Sequence, residues 1–413
     1  MEIKSVKEQY RIFDELLKKR IDTLMPKLMK ETGIDLWLVL DREYNEDPVF
    51  CTLVPKLVKN VSRQGLLAFS LMPDGTFEAL SLSRPNPRLW DHYVQAYNPK
   101  EETQCEALRN LLERKNPSTI GINISGECPM CDGLSKTMYD ELMDCLGETY
   151  APRTISAEKL CTRWLETRIP EEIEYYKTDI YPIAVQVMDE AFSSKCIVPG
   201  KTTTADLEWY MMQRFEEFGL GAWFAPDVDS QRKGESDERM VGQVIQPGDL
   251  IHCDMGTTYL GLRTDSQRMA YISVNGEDAP EGIREAFKTC NRFQDIVRAS
   301  FKTGLTGNEI FEKAIAGAKA EGIEAMLYSH PIGFYGHGAG PIIGLYDHQG
   351  FVEGRGEAAL HDDTCYALEL NIRQYVPEWD QKVCIMLEET VAYTGGEVQF
   401  LDPVGRTKLM VVK

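Results

Sequence analysis

Residues 248–272 read GDLIHCDMGTTYLGLRTDSQRMAYI, and two aspartates interrupt the apolar segments of this stretch. Asp254 lies late in the run LIHCDMG, which we predict to be a buried strand. Burying a carboxylate is costly unless it is paired or binds a metal ion. Asp265 follows eleven residues later, after a turn, at the head of the next predicted strand. A hairpin of this length would place the two carboxylates side by side, where a divalent cation would relieve their repulsion.

Two glutamates occupy similar surroundings in the C-terminal part of the chain. Glu369 lies within the apolar segment TCYALELNIR (364–373), and Glu388 lies within VCIMLEETVAYT (383–394). A single buried glutamate is most simply explained by an arginine partner. Four strand-embedded carboxylates in a chain that also has a histidine-rich segment instead favour two divalent ions bridged by carboxylates. The histidine-rich segment is YSHPIGFYGHGAGPIIGLYDHQG (328–350), with three of the six histidines of the chain.

The chain order of these residues resembles that of the pita-bread metallopeptidases, the family of methionine aminopeptidase, prolidase and aminopeptidase P. The resemblance implies a set of five metal ligands, Asp254, Asp265, His330, Glu369 and Glu388. The flanking sequences are also similar to family motifs, namely DMG at 254–256, DSQR at 265–268, LELNIRQY at 368–375 and LEETVAYT at 387–394. The segment RIDTLMPKLMKETGIDLWLVL (20–40) resembles the N-terminal domain of creatinase and prolidase, so the resemblance covers nearly the whole chain.

The family pattern is His-Gly-Ile-Gly with a second histidine seven residues after the first, and it fits this chain in two registers. In the first register His330 binds metal and His337, seven residues later, contacts the substrate. In the second register His337 binds metal and His348 is the second histidine, which requires four inserted residues. We favour the first register because it needs no insertion. His348 and His361 are then surface or loop histidines.

The chain departs from the family pattern around the proposed ligands. Proline-specific members usually carry a histidine ahead of PGD, whereas FAPDVDSQRKGESDERMVGQVIQPGD (224–249) contains none. The usual HExP is HGAGP here, and the usual EPG is ELN. Loss of an outer group can lower activity or change the substrate. Arg268 and Arg373 are candidates for binding a substrate carboxylate; an ion pair with a metal-bound carboxylate is the alternative for each.

The resemblance implies a metal-dependent exopeptidase, of the Xaa-Pro dipeptidase or aminopeptidase type, which cleaves short peptides before proline. Two divalent ions would activate a water molecule, Glu369 would take its proton and His337 would stabilise the intermediate. The oxygen-rich ligand set favours Mn²⁺, with Co²⁺, Zn²⁺ or Fe²⁺ as alternatives. The departures keep two other functions open: an amidohydrolase or C–N hydrolase with a non-peptide substrate, and a non-catalytic member of the fold.

Composition and charge exclude several other classes of protein. A chain of 413 residues with 43% hydrophobic residues can bury a large core. Its net charge of −20 disfavours nucleic acids and anionic membranes as partners. The N-terminus is charged and lacks an apolar signal segment, and the eleven scattered cysteines indicate free thiols in a reducing compartment. We therefore expect a cytoplasmic protein, and the relatives imply a homodimer. The CxxC of Cys128 and Cys131 lacks the second pair of ligands nearby that a zinc site would need, so we interpret it as incidental.

The fold class that we expect is α/β (α+β), in two domains that meet near residue 165. Residues 1–165 would form a smaller creatinase-type domain, and residues 166–413 would form the pita-bread catalytic domain. A weak internal repeat supports the pseudo-twofold symmetry that the resemblance implies. Glycines at 200 and 304 each precede a helical segment, LEWYMMQRFEEF (207–218) or IFEKAIAGAKAE (310–321), and further glycines follow at 219 and 322.

Overall fold

The structure is a computed structural model that describes residues 3–413. Two compact units divide this part of the chain, Lys4–Leu165 and Glu166–Lys413. Both units combine helices with β-sheets, so the expected mixed α/β class is confirmed. No helix among the described residues combines the length and the apolar character needed to cross a bilayer.

The N-terminal unit is built on a six-stranded mixed sheet with strand order β4-β3-β2-β1-β5-β6. Its strands are β1 Leu36–Arg42, β2 Gln64–Leu71, β3 Phe77–Ser81, β4 Val94–Gln95, β5 Ile120–Ile122 and β6 Thr154–Ser156. Its helices are α1 Val6–Lys19, α2 Met25–Thr32, α3 Gln104–Lys115, α4 Lys136–Tyr150 and α5 Glu158–Glu166. A β-hairpin is present in this unit, with β2 and β3 joined antiparallel through a turn at which Gly75 has a φ of 87°.

Asp41, in the central strand β1, is a buried carboxyl with an unusual environment. Its Oδ1 accepts a hydrogen bond from the Asp47 backbone N–H at 2.7 Å, while Oδ2 has no hydrogen-bond partner among residues 3–413. Burial raises the pKa of Asp41 to about 7. The unfolded chain has the lower pKa, so the folded state binds the extra proton. The free energy of unfolding therefore falls as the pH rises from about 4 through 7.

The substitution Asp41→Asn is expected to raise the melting temperature at pH 8 and to leave it nearly unchanged at pH 4. The amide keeps the acceptor for Asp47 and removes the charge that burial disfavours. A rise of the pKa from 3.8 to about 7 corresponds to at most about 4 kcal/mol. Calorimetry at both pH values measures the effect, with the exposed Asp91→Asn as the control. An equal change at both pH values would contradict the assignment.

The C-terminal unit is built on a ten-stranded sheet whose main path runs β14-β16-β17-β13-β10-β8-β9. These strands are β8 Asp227–Gln231, β9 Met240–Val241, β10 Leu250–Met255, β13 Ser266–Ile272, β14 Glu324–Leu327, β16 Thr364–Val376 and β17 Gln381–Thr394. Three further strands pair at the side of this path, β15 His330–Ile332, β18 Glu397–Phe400 and β19 Met410–Val412. A separate small sheet contains β7 Gly221–Ala222, β11 Thr257–Tyr259 and β12 Leu262–Arg263.

The helices of the C-terminal unit are α6 Pro170–Tyr175, α7 Tyr181–Ala191, α8 Thr204–Phe218, α9 Glu281–Ser300 and α10 Gly307–Ala320.

The two faces of the large sheet have different environments. Leu368 and Leu370 of β16 pack in one core with buried residues of α9 and α10. Because side chains alternate along a strand, Glu369 lies on the opposite face of the sheet. The helices thus bury one face and leave the other for polar side chains.

The internal repeat of the C-terminal unit is visible in matching backbone contacts. Thr203 and Thr306 each cap the following helix in a capping box, with Asp206 or Glu309 as the reciprocal partner. Thr203 forms an isolated bridge with Val244, and Thr306 forms the equivalent bridge with Ala359. The two copies therefore share a capped helix and an equivalent backbone bridge to a later segment. These contacts support the internal repeat more strongly than the glycine spacing alone.

The expectation that the cysteines are all free thiols is wrong. Cys105 at the start of α3 and Cys145 near the end of α4 form a disulfide, with their Cα atoms 5.6 Å apart. That separation is typical of disulfides. The two residues are 40 positions apart and come together through the packing of two helices, which cysteine counting does not show. Cys128 and Cys131 are buried and are not joined to each other.

Candidate metal centre

The polar face of the large sheet carries a row of acidic side chains across neighbouring strands. Glu369 of β16 pairs with Glu388 of β17, and Glu388 pairs with Gln267 of β13. Gln267 in turn pairs with Asp254 of β10. Residues that are paired across adjacent strands lie side by side on one face. Two pairs of strands, whose residues Gln267 and Glu369 are 102 positions apart in sequence, thus contribute one line of side chains, in which Gln267 stands between carboxyls.

The carboxyl groups of Asp254 and Asp265 lie next to each other as predicted, although the two residues are not paired across the strands. Asp254 pairs with Gln267, and Asp265 lies immediately before β13. The reason is the small hairpin of β11 and β12, which occupies the connection and shifts the register from the one that a simple turn would give. The Asp265 carboxyl nevertheless reaches the same cluster, since one of its oxygens lies 3.5 Å from His330 Nε2.

Five side chains form two groups that could each hold a metal ion. In the first group, ligand atoms of Asp265, His330 and Glu388 all lie within 4.8 Å of one another. In the second group the same holds for Asp254, Glu369 and Glu388. Glu388 is common to both groups. Two ions that share a bridging carboxylate, as in two-metal hydrolases, need an arrangement of this kind.

The His330 imidazole is oriented as a ligand. Its Nδ1 lies 3.2 Å from the Pro331 carbonyl oxygen, which can only accept, so Nδ1 carries the proton. The Nε2 lone pair then faces carboxyl oxygens of Asp265, Glu369 and Glu388 at 3.5, 3.9 and 3.7 Å. Burial lowers the pKa of His330 to about 4, which keeps the ring neutral at pH 7. A neutral nitrogen that faces three carboxyls lacks a positive partner, and a cation supplies one.

The unsatisfied atoms of the site fit a cation better than any internal partner. Five buried atoms have no hydrogen-bond partner among residues 3–413: Asp254 Oδ1, Asp265 Oδ1, His330 Nε2 and both carboxyl oxygens of Glu388. Burying such atoms without partners is strongly unfavourable. Every one of them is a lone-pair donor of the type that binds divalent ions. The donor set is therefore suited to a divalent metal.

Burial and crowding disfavour the charged form of these carboxyls when no cation is present. Burial raises the pKa of Asp265 to about 8. Burial, followed by repulsion from neighbouring carboxyls, raises the pKa of Asp254, Glu369 and Glu388 well above the usual range. A bound divalent ion reverses this balance because it stabilises the ionised form.

His337 lies beside His330 but outside the carboxyl cluster. The two imidazoles meet edge to face, with ring centroids 4.6 Å apart, and His337 is exposed to solvent. Its other face contacts Trp223, at a centroid distance of 5.3 Å. The indole fits closely against Gly256 and Gly336, where a Cβ atom would overlap it. His337 and Trp223 thus form a wall next to the cluster, on the solvent side.

The remaining histidines that the sequence placed on the surface lie away from the cluster. His348 is exposed, and its Nε2 lies 3.0 Å from the Phe351 carbonyl oxygen. His361 is partly exposed, with Nδ1 3.3 Å from Glu166 Oε1. The metal ligand is His330 in the first register and His337 in the second, and the carboxyl oxygens lie around His330 Nε2 whereas His337 lies outside their cluster.

Neither arginine proposed to bind a substrate carboxylate is placed for that task. Arg268 is buried, and its guanidinium binds Glu389, with Nη1–Oε1 at 2.5 Å. Arg373 forms an ion pair with Glu238, with Nη2–Oε2 at 2.8 Å. Both partners are more than 100 residues away in sequence, so the sequence did not reveal them. The alternative for each arginine was an ion pair with a metal-bound carboxylate. That alternative is also wrong, because neither Glu389 nor Glu238 is one of the five proposed metal ligands.

Sequence reasoning missed a buried polar network behind the site. Gln267 Nε2 donates to Glu369 Oε1 at 2.6 Å, and His252 Nε2 lies 3.0 Å from Gln267 Oε1. His252 Nδ1 lies 3.1 Å from Asp229, which also accepts a hydrogen bond from Arg239 at 2.7 Å. The signal was present, because LIHCDMG places His252 two residues before Asp254 and therefore on the same strand face. A single histidine in an apolar strand does not by itself predict such a network.

Comparison with known proteins identifies the family and the fold. The profile of metallopeptidase family M24 matches residues 179–395, slightly more than half of the 413 residues, and this stretch includes all five proposed ligands. None of the curated proteins matches the chain.

Solved structures similar to this chain include three peptidases. The X-Pro aminopeptidase of Thermotoga maritima has a TM-score of 0.67 at 17% identity, covering 94% of this chain and 100% of that chain. The prolidase of Thermococcus sibiricus has a TM-score of 0.59 at 17% identity, covering 96% and 99%. The Xaa-Pro dipeptidase of Bacillus anthracis has a TM-score of 0.58 at 17% identity, covering 99% and 100%. At this identity the likeness establishes the fold, which is the pita-bread fold preceded by an N-terminal domain.

Proposed function

This chain belongs to metallopeptidase family M24, and from that premise we propose that it is an Xaa-Pro exopeptidase with a dinuclear metal centre. The observation that carries the proposal is the pair of ligand groups, Asp265–His330–Glu388 and Asp254–Glu369–Glu388, joined by one shared glutamate. Oxygen atoms predominate in this set, with one imidazole, which suits Mn²⁺. When bound, the two ions would polarise the scissile carbonyl and acidify a water molecule.

Two residues of the chain are proposed to act on the substrate directly. Glu369, held in the ligand cluster, would accept the proton of the attacking water and pass it to the leaving amine. His337 is next to the cluster, and partial burial of its ring, followed by the neighbouring His330, lowers its pKa to about 4, so its imidazole is neutral at pH 7. A neutral ring N–H would donate a hydrogen bond to the oxygen that gains negative charge in the transition state.

Arg355 is the arginine that we propose for a substrate carboxylate, in place of Arg268 and Arg373. Its guanidinium donates to the Gly338 and Gly340 carbonyls and forms no ion pair within residues 3–413. Burial is the main cause of the lowered pKa of His330 and His337, and the positive charge of Arg355 lowers both further, so Arg355 lies near both rings. A guanidinium without a carboxylate partner beside the proposed centre suits the free C-terminus of a short peptide.

The proposed function is tested by metal analysis and by turnover. The purified chain is expected to bind two equivalents of Mn²⁺ and to hydrolyse Xaa-Pro dipeptides or tripeptides with Mn²⁺ present. Two bound ions without turnover of any peptide in the panel would favour a C–N hydrolase with a different substrate. No binding at high Mn²⁺ would refute the metallopeptidase mechanism and favour a non-catalytic protein.

The choice between the two histidine registers gives a matched pair of variants. His330→Ala is expected to weaken Mn²⁺ binding and to lower kcat/KM by more than about 100-fold, beyond what outer-group substitutions cost. His348→Ala is expected to leave both unchanged, because His348 is exposed and lies away from the carboxyls. Isothermal titration and Xaa-Pro hydrolysis measure the two effects. The reverse pattern would show that the second register is correct.

Arg355 gives a prediction about substrate form. Arg355→Met is expected to raise KM for a dipeptide with a free carboxylate by roughly 10- to 100-fold, the loss of one charged hydrogen-bonded contact. The same variant is expected to change KM little for the corresponding dipeptide amide. A similar loss on both substrates would show that Arg355 instead supports the loop carbonyls it contacts.

Assembly and location are the remaining parts of the same proposal. We propose a homodimer, which sedimentation measures directly. We propose the cytoplasm as the location, because only two of the eleven cysteines, all of which lie in the described part of the chain, are joined by a disulfide. Thiol labelling of the chain in cell extracts, with and without reductant, tests the location through the state of Cys105.

A further inference from the structure

We infer that Gln267 is a positioning residue for Glu369, and that its carboxamide is held in one orientation by His252 and Asp229. The inference rests on the proposed function, since Glu369 is a proposed ligand and proton acceptor. It adds a residue that is itself neither a ligand nor in contact with substrate.

One end of the Gln267 carboxamide faces the proposed ligands. Its Nε2 donates to Glu369 Oε1 at 2.6 Å and lies 3.4 Å from Asp254 Oδ2. The other oxygen of Glu369, Oε2, lies 3.9 Å from His330 Nε2. Gln267 therefore binds one oxygen of Glu369, and the other oxygen faces the candidate metal centre. Gln267 is thus a neutral hydrogen-bond donor within a row of acidic side chains.

The other end of the carboxamide faces a buried histidine. Gln267 Oε1 lies 3.0 Å from Nε2 of His252, which is 2% exposed. His252 Nδ1 lies 3.1 Å from Asp229 Oδ2, and the same oxygen accepts from Arg239 Nε at 2.7 Å. Asp229 is also buried, so the chain of contacts is enclosed except at Arg239.

These contacts select one of the two orientations of the carboxamide. Gln267 Nε2 is the atom that lies next to Glu369 Oε1, and a Glu369 carboxylate that is ionised by a bound cation only accepts hydrogen bonds, so the NH₂ group faces Glu369. Its oxygen then faces His252 Nε2, and since the Asp229 carboxylate at Nδ1 is also an acceptor, the ring donates to both partners from its doubly protonated form. Turning the carboxamide by 180° would bring two oxygens together at Glu369. His252 makes that turn unfavourable, because it would also lose its acceptor. The effect of His252 on Glu369 thus passes through Gln267.

The first test is structural and needs neither metal nor turnover. Crystal structures of the metal-free wild type and of Gln267→Met are compared, since methionine has a similar length and no amide. Glu369 is expected to keep its side-chain rotamer in the wild type and to change it in the variant. The same Glu369 rotamer in both would overturn the inference. Because no ion is involved, this result is separate from any failure of the proposed function.

The second test measures Mn²⁺ affinity by isothermal titration. Gln267→Met is expected to weaken binding by about 10- to 100-fold, the usual effect of losing an outer hydrogen-bond partner. Gln267→Glu, which keeps the shape but replaces the donor by an acceptor, is expected to lose at least as much. The exposed helical Gln213→Met is the control and should bind like the wild type.

A double variant distinguishes positioning from general support of the sheet. If His252 acts through Gln267, His252→Phe combined with Gln267→Met should bind Mn²⁺ no more weakly than Gln267→Met alone. Additive losses would overturn that step, and an unchanged affinity in Gln267→Met would overturn the positioning role. Absence of Mn²⁺ binding in the wild type would refute the proposed function, and the crystal comparison alone then decides on Gln267.

Discussion

Glu388→Gln is expected to abolish binding of both metal ions and to lower kcat/KM by more than about 100-fold, beyond the cost of outer-group substitutions. Glu388 belongs to both ligand groups, and both of its carboxyl oxygens are buried without a hydrogen-bond partner in the described chain. The amide that replaces it offers one weak ligand oxygen and directs N–H groups at the site. Loss of a single side chain therefore removes the bridge between the two groups.

Stability measurements separate this effect from misfolding. Metal binding to the wild type is expected to raise the melting temperature, since a ligand that binds only the folded state stabilises it. In Glu388→Gln this rise should disappear while the metal-free melting temperature stays equal or increases, because one crowded buried carboxyl is removed. Glu397→Gln, at an exposed position of β18, is the control. Retention of one full equivalent of Mn²⁺ in Glu388→Gln would contradict a shared bridging role.

Arg268→Met is expected to cost about 3–5 kcal/mol of stability, the usual effect of removing one partner of a buried ion pair. Glu389, which is fully buried, would keep its Tyr181 hydrogen bond at 2.5 Å but lose the guanidinium. For a unit of this size such a loss corresponds to roughly a 6–20 °C lower melting temperature. Calorimetry of the full metal-free chain measures it.

The double variant Arg268→Met with Glu389→Leu completes this experiment. It is expected to recover most of the lost stability, because replacing both partners by apolar groups leaves no buried charge. The exposed pair of Lys288 and Glu285 is the comparison, where Lys288→Met should change the melting temperature very little. A loss below about 1 kcal/mol in Arg268→Met would show that water reaches the Glu389 carboxyl.

The parts of the site that sequence could predict share a simple physical origin. Burying a carboxylate within an apolar strand costs free energy, so the sequence alone indicates Asp254, Glu369 and Glu388 as candidate ligands. The register around Asp265 could not be predicted, because two short strands occupy what looked like a turn. Strand periodicity states which residues share a face, but not which strands become neighbours.

Long-range pairing accounts for the other differences. The partners of Arg268 and Arg373 lie 121 and 135 residues away, and the disulfide joins residues 40 positions apart. Nothing local marks such pairs. The same holds for His252, whose role depends on Gln267 from the next strand. The N-terminal hairpin and the capped helices, by contrast, were predictable because their signals lie within a few residues of each other.

The close fit of Trp223 against two glycines restricts how this sequence can change over time. Gly256 lies two residues after the first proposed ligand and has no positive φ. Glycine is required there, and at Gly336, because a side chain would overlap the indole of Trp223. Neither glycine can acquire a side chain while the indole is present, and a smaller residue at Trp223 would free Gly336 alone, because a Cβ atom at Gly256 would still overlap Phe224. Gly336 can therefore vary once the tryptophan is lost, whereas Gly256 requires a change at Phe224 as well.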